Sequence, residues 1–225
     1  MNKRGMLAAA QAVFDAERAL RGAAETVDEL CDVAASSIRL LDDAATDTFY
    51  AHQEERRNLY VRSAGEHLER VRNRSGVMND LGADLTHQLA AASNALELAG
   101  YELGSIDAND CDGGIRALRT QIDVLVEVVS LARPVAAQIT RHAQHAAESA
   151  AASDALMLLD SRVHDTGKEM SRADEGVSVV RSVIEHAQSR AHTSAALAGS
   201  LTYAACHPTP PGRRDPEAGQ SGIAI

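Results

Sequence analysis

The residues best spaced for chemistry are His142, His145 and Glu148, which recur at i, i+3 and i+6. On a helix the two imidazoles share a face, and imidazole with carboxylate is a donor set for ions of the zinc class. A ferritin-like di-iron centre would need paired Glu-x-x-His motifs and further inward glutamates. The nearest counterpart is the single Asp84-x-x-His87. Counting from the apolar stripes set out below puts His87 and His145 on outward positions. Solvated histidines are therefore expected, with no metal and no other cofactor.

The acidic stretch from Asp107 to Gly114 fails as a calcium loop. Started at Asp107, it offers Asn109 at the third position but Cys111 at the fifth. Asp112 stands at the sixth, where glycine is needed, and Leu118 at the twelfth, where a bidentate glutamate belongs. It is read instead as a turn with capping carboxylates. Arg56, Arg57, Arg62, Arg70, Arg72 and Arg74 form a basic cluster, but Glu54, Glu55, Glu66 and Glu69 are interleaved with it. Pairs such as Glu66 with Arg70 at i, i+4 make it an ion-paired helix surface. No run of aromatic residues accompanies it for stacking on bases. There is no Gly-rich phosphate loop, nucleophile elbow, HExxH motif or carboxylate pair beside a polar pocket, so no catalytic residue is assigned and a non-enzymatic protein is expected.

Composition narrows the classes further. A formal charge of −10 and a pI near 5.3 disfavour nucleic acid and anionic lipid as partners. Cys31, Cys111 and Cys206 are widely separated and form no CxxC pair, which fits a reducing compartment rather than a disulfide framework. Charged Asp15, Glu17 and Arg18 interrupt the early alanine run before a secretory core is complete, and no window approaches the roughly eighteen apolar residues of a membrane span. A cytoplasmic protein is expected, with leaderless secretion as the alternative.

The elements that must carry these residues are helices. Leu68, Val71, Ser75, Met78, Gly82, Leu85, Leu89, Ala92, Leu96, Ala99, Leu103 and Ile106 form a row spaced by threes and fours. Ile115, Leu118, Ile122, Leu125, Val129, Ala132, Ala136, Ile139, Ala143 and Ala146 form a second. Only a helix lying along a partner helix brings such positions onto one seam. About one residue in five is alanine, tryptophan is absent and aromatics make up 3%. The helices are thus individually favourable but bury little area per residue, so length must accumulate the burial.

The predicted fold class is all-α, an elongated antiparallel four-helix bundle or coiled coil with two long central helices, spanning residues 1–206. Helix one is read over about 4–43, helix two over 48–105, helix three over 114–165 and helix four to about 205. Turns are placed near 44–48, 105–114 and 165–167 on the strength of Asp, Thr, Asn and Gly; with no Gly or Pro at 44–48, a single helix running straight through is the alternative there. The step Leu30, Ala34, Ile38 reads as a stutter. A bend or break is expected between Arg72 and Gly76, and a kink near Arg133 because Pro134 removes a backbone donor.

From 207 to 225 the Pro- and Gly-rich sequence offers no core and reads as a disordered tail. Its apolar end, Ile223 and Ile225, has the build of a docking peptide and supplies the candidate partner-binding residues. Long arms that outreach shorter helices leave apolar surface for another molecule, and a second copy covers it most economically. The function expected from sequence is a helical structural or scaffold protein that assembles as a homo-oligomer and presents surface to protein partners. A secreted or encapsulated effector or cargo delivered by its C-terminal tail is the alternative, and a metal-binding helical protein a remote third.

Overall fold

Alanine and leucine, strong helix formers, recur through every predicted element, and the chain resolves into four helices. The structure is a computed structural model and describes residues 3–53, 57–106, 113–151 and 155–207. Helix α1 spans Lys3–Gln53, α2 Arg57–Gly104, α3 Gly113–Ser149 and α4 Leu156–Cys206. At 1.5 Å per residue, the 51-residue helices α1 and α4 are about 76 Å long.

Each helix packs on the next, and α4 closes the square against α1, while α2 and α4 touch only lightly across the diagonal. All four neighbours run antiparallel. Thr26 donates to Gln88 Oε1 at 3.1 Å between α1 and α2. Between α3 and α4, Ser194 donates to Gln121 Oε1 at 3.0 Å. Arg181 meets Asp28 at 3.2 Å between α4 and α1, and His192 meets Glu17 at 3.1 Å further along the same pair. Arg119 on α3 reaches back to the Leu103 carbonyl at 2.6 Å and caps the end of α2.

Burial follows a strict alternation of three and four. In α2 the buried residues are Val61, Ala64, Leu68, Val71, Ser75, Met78, Gly82, Leu85, Leu89, Ala92, Leu96, Ala99 and Leu103, with Ser93 beside them. The row in α3 from Ile115 to Ala146 is the one read from the sequence. In α1 the alternation is equally regular, because it passes through Ser37 rather than Ile38. There is no stutter. Ser37 Oγ donates to the Val33 carbonyl at 2.8 Å, so a hydroxyl sits in the seam without an orphaned donor.

Two expected turns are corrected. Residues 44–48 lie inside α1, where Thr46 and Thr48 donate back to the carbonyls of Asp42 and Ala45 at 2.8 and 2.9 Å instead of capping a new helix. Residues 165–167 lie inside α4, with Thr166 fully buried in its seam. The chain instead leaves α3 after Ser149, and α4 starts from an extended Ala155. Helix lengths are consequently more even than expected, with α3 the shortest at 37 residues.

Helix α2 runs unbroken through Arg72 to Gly76, and α3 runs unbroken through Pro134. A Cβ at Gly82 would lie 2.5 Å from Thr140 Oγ1 but 3.5 Å from the Thr140 Cα, so a side chain there requires the Thr140 hydroxyl to move while the helix backbones leave room for it.

The seam carries a polar layer. Arg74 donates to Ser36 Oγ, which sets the next residues in each chain direction, Ser37 and Ser75, at nearly the same height. Ser75 Oγ and Thr166 Oγ1 are buried and, among the described residues, without a hydrogen-bond partner. An unsatisfied buried hydroxyl is destabilising relative to an apolar group of similar shape. Ser75→Ala and Thr166→Val are each expected to stabilise the protein by about 1 kcal/mol. Urea titration checks this; a loss of stability in either variant would mean that the hydroxyl has a partner in solution.

Candidate functional site

The aromatic side chains are excluded from the core. Phe49, Tyr50, Tyr101 and Tyr203 are exposed, Phe14 lies just past half-buried, and Tyr60 only packs against the edge of the core. Five of the six lie within about a turn of a helix end; Phe14 lies further in and α3 has none. At the end where α1 finishes and α2 and α4 begin, Phe49 (56% exposed) and Tyr50 meet edge to face with centroids 5.7 Å apart. Tyr50 stacks obliquely on Tyr60 at 5.6 Å. Leu59, Met157 (84% exposed) and Leu158 are exposed on the same end. The opposite end presents Leu7, Leu98, Tyr101 and Tyr203. Phe14, Val77, Leu131 and Val179 are exposed singly along the shaft, whereas the tips carry the other exposed large apolar side chains in groups, and that grouping is the informative departure.

The second feature lies between α3 and α4. His142 and His145 project from the flank of α3 beside the seam residues Ala143 and Ala146. They meet Glu169 from α4, whose own seam neighbour is Met170. His142 Nδ1 lies 2.7 Å from Glu169 Oε2, and His145 Nδ1 lies 3.8 Å from the same oxygen. Arg172 donates to the other carboxylate oxygen at 2.8 Å. The hydrogen bond from His142 and the charge of Arg172 hold the Glu169 carboxyl below the usual carboxylate range. A groove of about 490 Å³ adjoins the cluster, lined by Val135, Gln138, His142, Arg172, Glu175 and Gly176, with Val179 at its edge. A smaller one of about 290 Å³ runs between α1 and α4 around Leu41, Ala45, Val163 and Gly167.

The structure sorts the residues singled out from sequence. The expectation that His142 is a free surface histidine is corrected, since it is largely buried and bonded to Glu169. His145 is half-exposed but faces the same carboxylate. Glu148 does not join them; it accepts from Gln144 at 3.0 Å. Asp84 and His87 are exposed on α2, far from this cluster in sequence and on another helix. Glu66 pairs with Arg62 at 3.2 Å rather than with Arg70, and Arg72 with Glu69 at 3.8 Å, so the basic cluster is ion-paired through different partners. Residues 107–112, Arg56, and the tail with Ile223 and Ile225 lie outside the described residues.

Cys31 is half-buried and its thiol is pushed up by desolvation, which leaves it a poor nucleophile, and Cys206 is a free exposed thiol. Glu169 was invisible to sequence reasoning because its partners lie 24 and 27 residues away across a turn that the sequence placed elsewhere. Among the described residues, no helix is long and apolar enough to cross a membrane. No protein-family model, curated protein or solved structure matches this chain.

Proposed function

We propose that this protein is a non-enzymatic helical scaffold that assembles through coiled-coil packing and presents its two tips to protein partners, a second copy of itself first among them. The observation that carries this reading is the placement of the aromatic residues. The interior is filled by Leu, Ala, Val, Ile and Met, while Phe49, Tyr50, Tyr101 and Tyr203 stand in solvent at the ends of the rod. Aromatic side chains supply much of the binding energy at protein interfaces and little benefit when left in water. A rod with an aliphatic seam and aromatic tips is suited to spanning a distance and joining at its ends.

The strict seven-residue repeat of buried positions supports coiled-coil geometry, since such a repeat keeps the seam facing its partner only if the helices supercoil. Light scattering coupled to size exclusion tests the assembly. The expected mass is two or more times the 23.8 kDa of one chain. Replacing Leu59 and Met157 together by serine, at exposed positions outside the core, is expected to shift it toward the monomer. A single 23.8 kDa species at every concentration, unchanged by the double variant, contradicts self-assembly through this end.

A further inference from the structure

We infer that His142, His145 and Glu169 form a binding site for one divalent ion of the zinc class, clipping α3 to α4. The three donor atoms lie within 4.8 Å of one another. Donors about 2.1 Å from a tetrahedral zinc ion sit about 3.4 Å apart. His142 Nδ1 must retreat from Glu169 Oε2 by about 0.7 Å from its present 2.7 Å, and His145 Nδ1 must approach by about 0.4 Å from 3.8 Å. The two imidazole donors start within 4.8 Å of each other and close toward the same separation, so the adjustments are on the order of 1 Å, within reach of side-chain rotation.

The surroundings suit such an ion. Glu169 Oε1 is held by Arg172, so the carboxylate is oriented and offers Oε2 as a single ligand. The ion takes the place of the hydrogen between His142 and Glu169 in the bond they now make. The His₂Glu set leaves a fourth coordination position, and the adjoining groove, of which His142 and Arg172 are part of the lining, gives water or a small anionic ligand a route to it. Two imidazole nitrogens select zinc, cobalt, nickel or copper over magnesium and calcium, which require oxygen donors. The neighbouring Arg172 guanidinium opposes a second positive charge and lowers affinity, so a reversible site is expected rather than a permanent structural one. Its occupancy would fasten the last turns of α3, the shortest helix, to α4.

The test is calorimetric titration of the full chain with zinc chloride, paired with cobalt chloride followed by visible absorption. One ion per chain is expected, with a tetrahedral cobalt spectrum that zinc abolishes and magnesium does not. His142→Ala and Glu169→Gln should each weaken binding at least tenfold, while His87→Ala, on α2, leaves it unchanged. Glu169→Gln keeps the shape and hydrogen-bonding reach of the side chain, and circular dichroism verifies its fold. His145→Gln, at a half-exposed position, gives an independent variant should either of the others misfold. Zinc should also raise the melting temperature of the natural chain and not that of Glu169→Gln. Absence of saturable zinc binding would overturn the site, as would binding that persists undiminished in these three variants.

Discussion

Leu159→Ala is expected to destabilise the bundle by about 3–5 kcal/mol, whereas Met157→Ala should change stability by less than about 0.5 kcal/mol. The two residues are two positions apart on the same helix, and a sequence series running Ala146, Ala150, Ser153, Met157 would make Met157 the core member. The structure reverses them. Leu159 is fully buried and Met157 is 84% exposed, because the seam restarts at Leu156 after the chain leaves α3. Truncating Leu159 removes its transfer free energy and leaves a void that rigid neighbouring helices cannot collapse into. Truncating Met157 removes, within one chain, contacts that are mostly with solvent. Urea unfolding with the slope compared across variants checks the pair; equal losses would mean that α4 begins in a different helical phase.

Pro134→Ala should stabilise the protein by about 2 kcal/mol. The residue sits on the solvent side of an unbroken α3, between the seam residues Ala132 and Ala136. Proline there removes the donor that would bond to the Ser130 carbonyl and crowds that carbonyl, a penalty of about 3 kcal/mol relative to alanine in a helix interior. Part of the gain, up to about 1 kcal/mol, is offset because alanine frees the unfolded chain. Thermal and urea unfolding read the net effect. If the variant is less stable than the natural chain, the local curvature imposed by Pro134 is what lets α3 follow α2 and α4, and the assumption of an otherwise ideal helix fails.

The fold was legible because the seams of α2 and α3 are written almost entirely in apolar residues, and the turn between them in Asp, Asn and Gly. The other two turns were hidden for different reasons. Between Ala51 and Val61 the seam slips by one position, since strict alternation from Ala51 would reach 62 and not Val61, but the intervening residues are mostly glutamine, glutamate, arginine and asparagine without glycine or proline. With no apolar marker inside that segment, the slip shows where α1 stops only once Ala51 and Val61 are known to be buried. Threonine and aspartate at 42–48 looked like caps because the same side chains that cap helices also bond back onto a helix carbonyl, as Thr46 and Thr48 do.

After α3 the alanine run reads as continuous helix, and the available signal was a phase slip: Leu156 and Leu159 do not continue the row that ends at Ala146 and Ala150. Polar seam residues were the other blind spot. Passing over Ser37 in favour of Ile38 created a stutter that the helix does not have. The polar cluster is half legible, since His142 and His145 stand as a pair at i, i+3, but Glu169 joins them only once α4 is known to begin at Leu156. The exposed tips could not be read at all, because an aromatic residue near a helix end is compatible with either core or surface until its heptad position is fixed.

Small-angle X-ray scattering of the purified chain tests the central claim of an extended four-helix rod. A rod about 76 Å long and 24 Å across has a radius of gyration near 23 Å, and a distance distribution that tails to 75 Å or beyond is predicted. End-to-end assembly lengthens that tail and leaves the cross-section unchanged. A radius of gyration near 17 Å, the value for a compact 225-residue globule, would contradict the account.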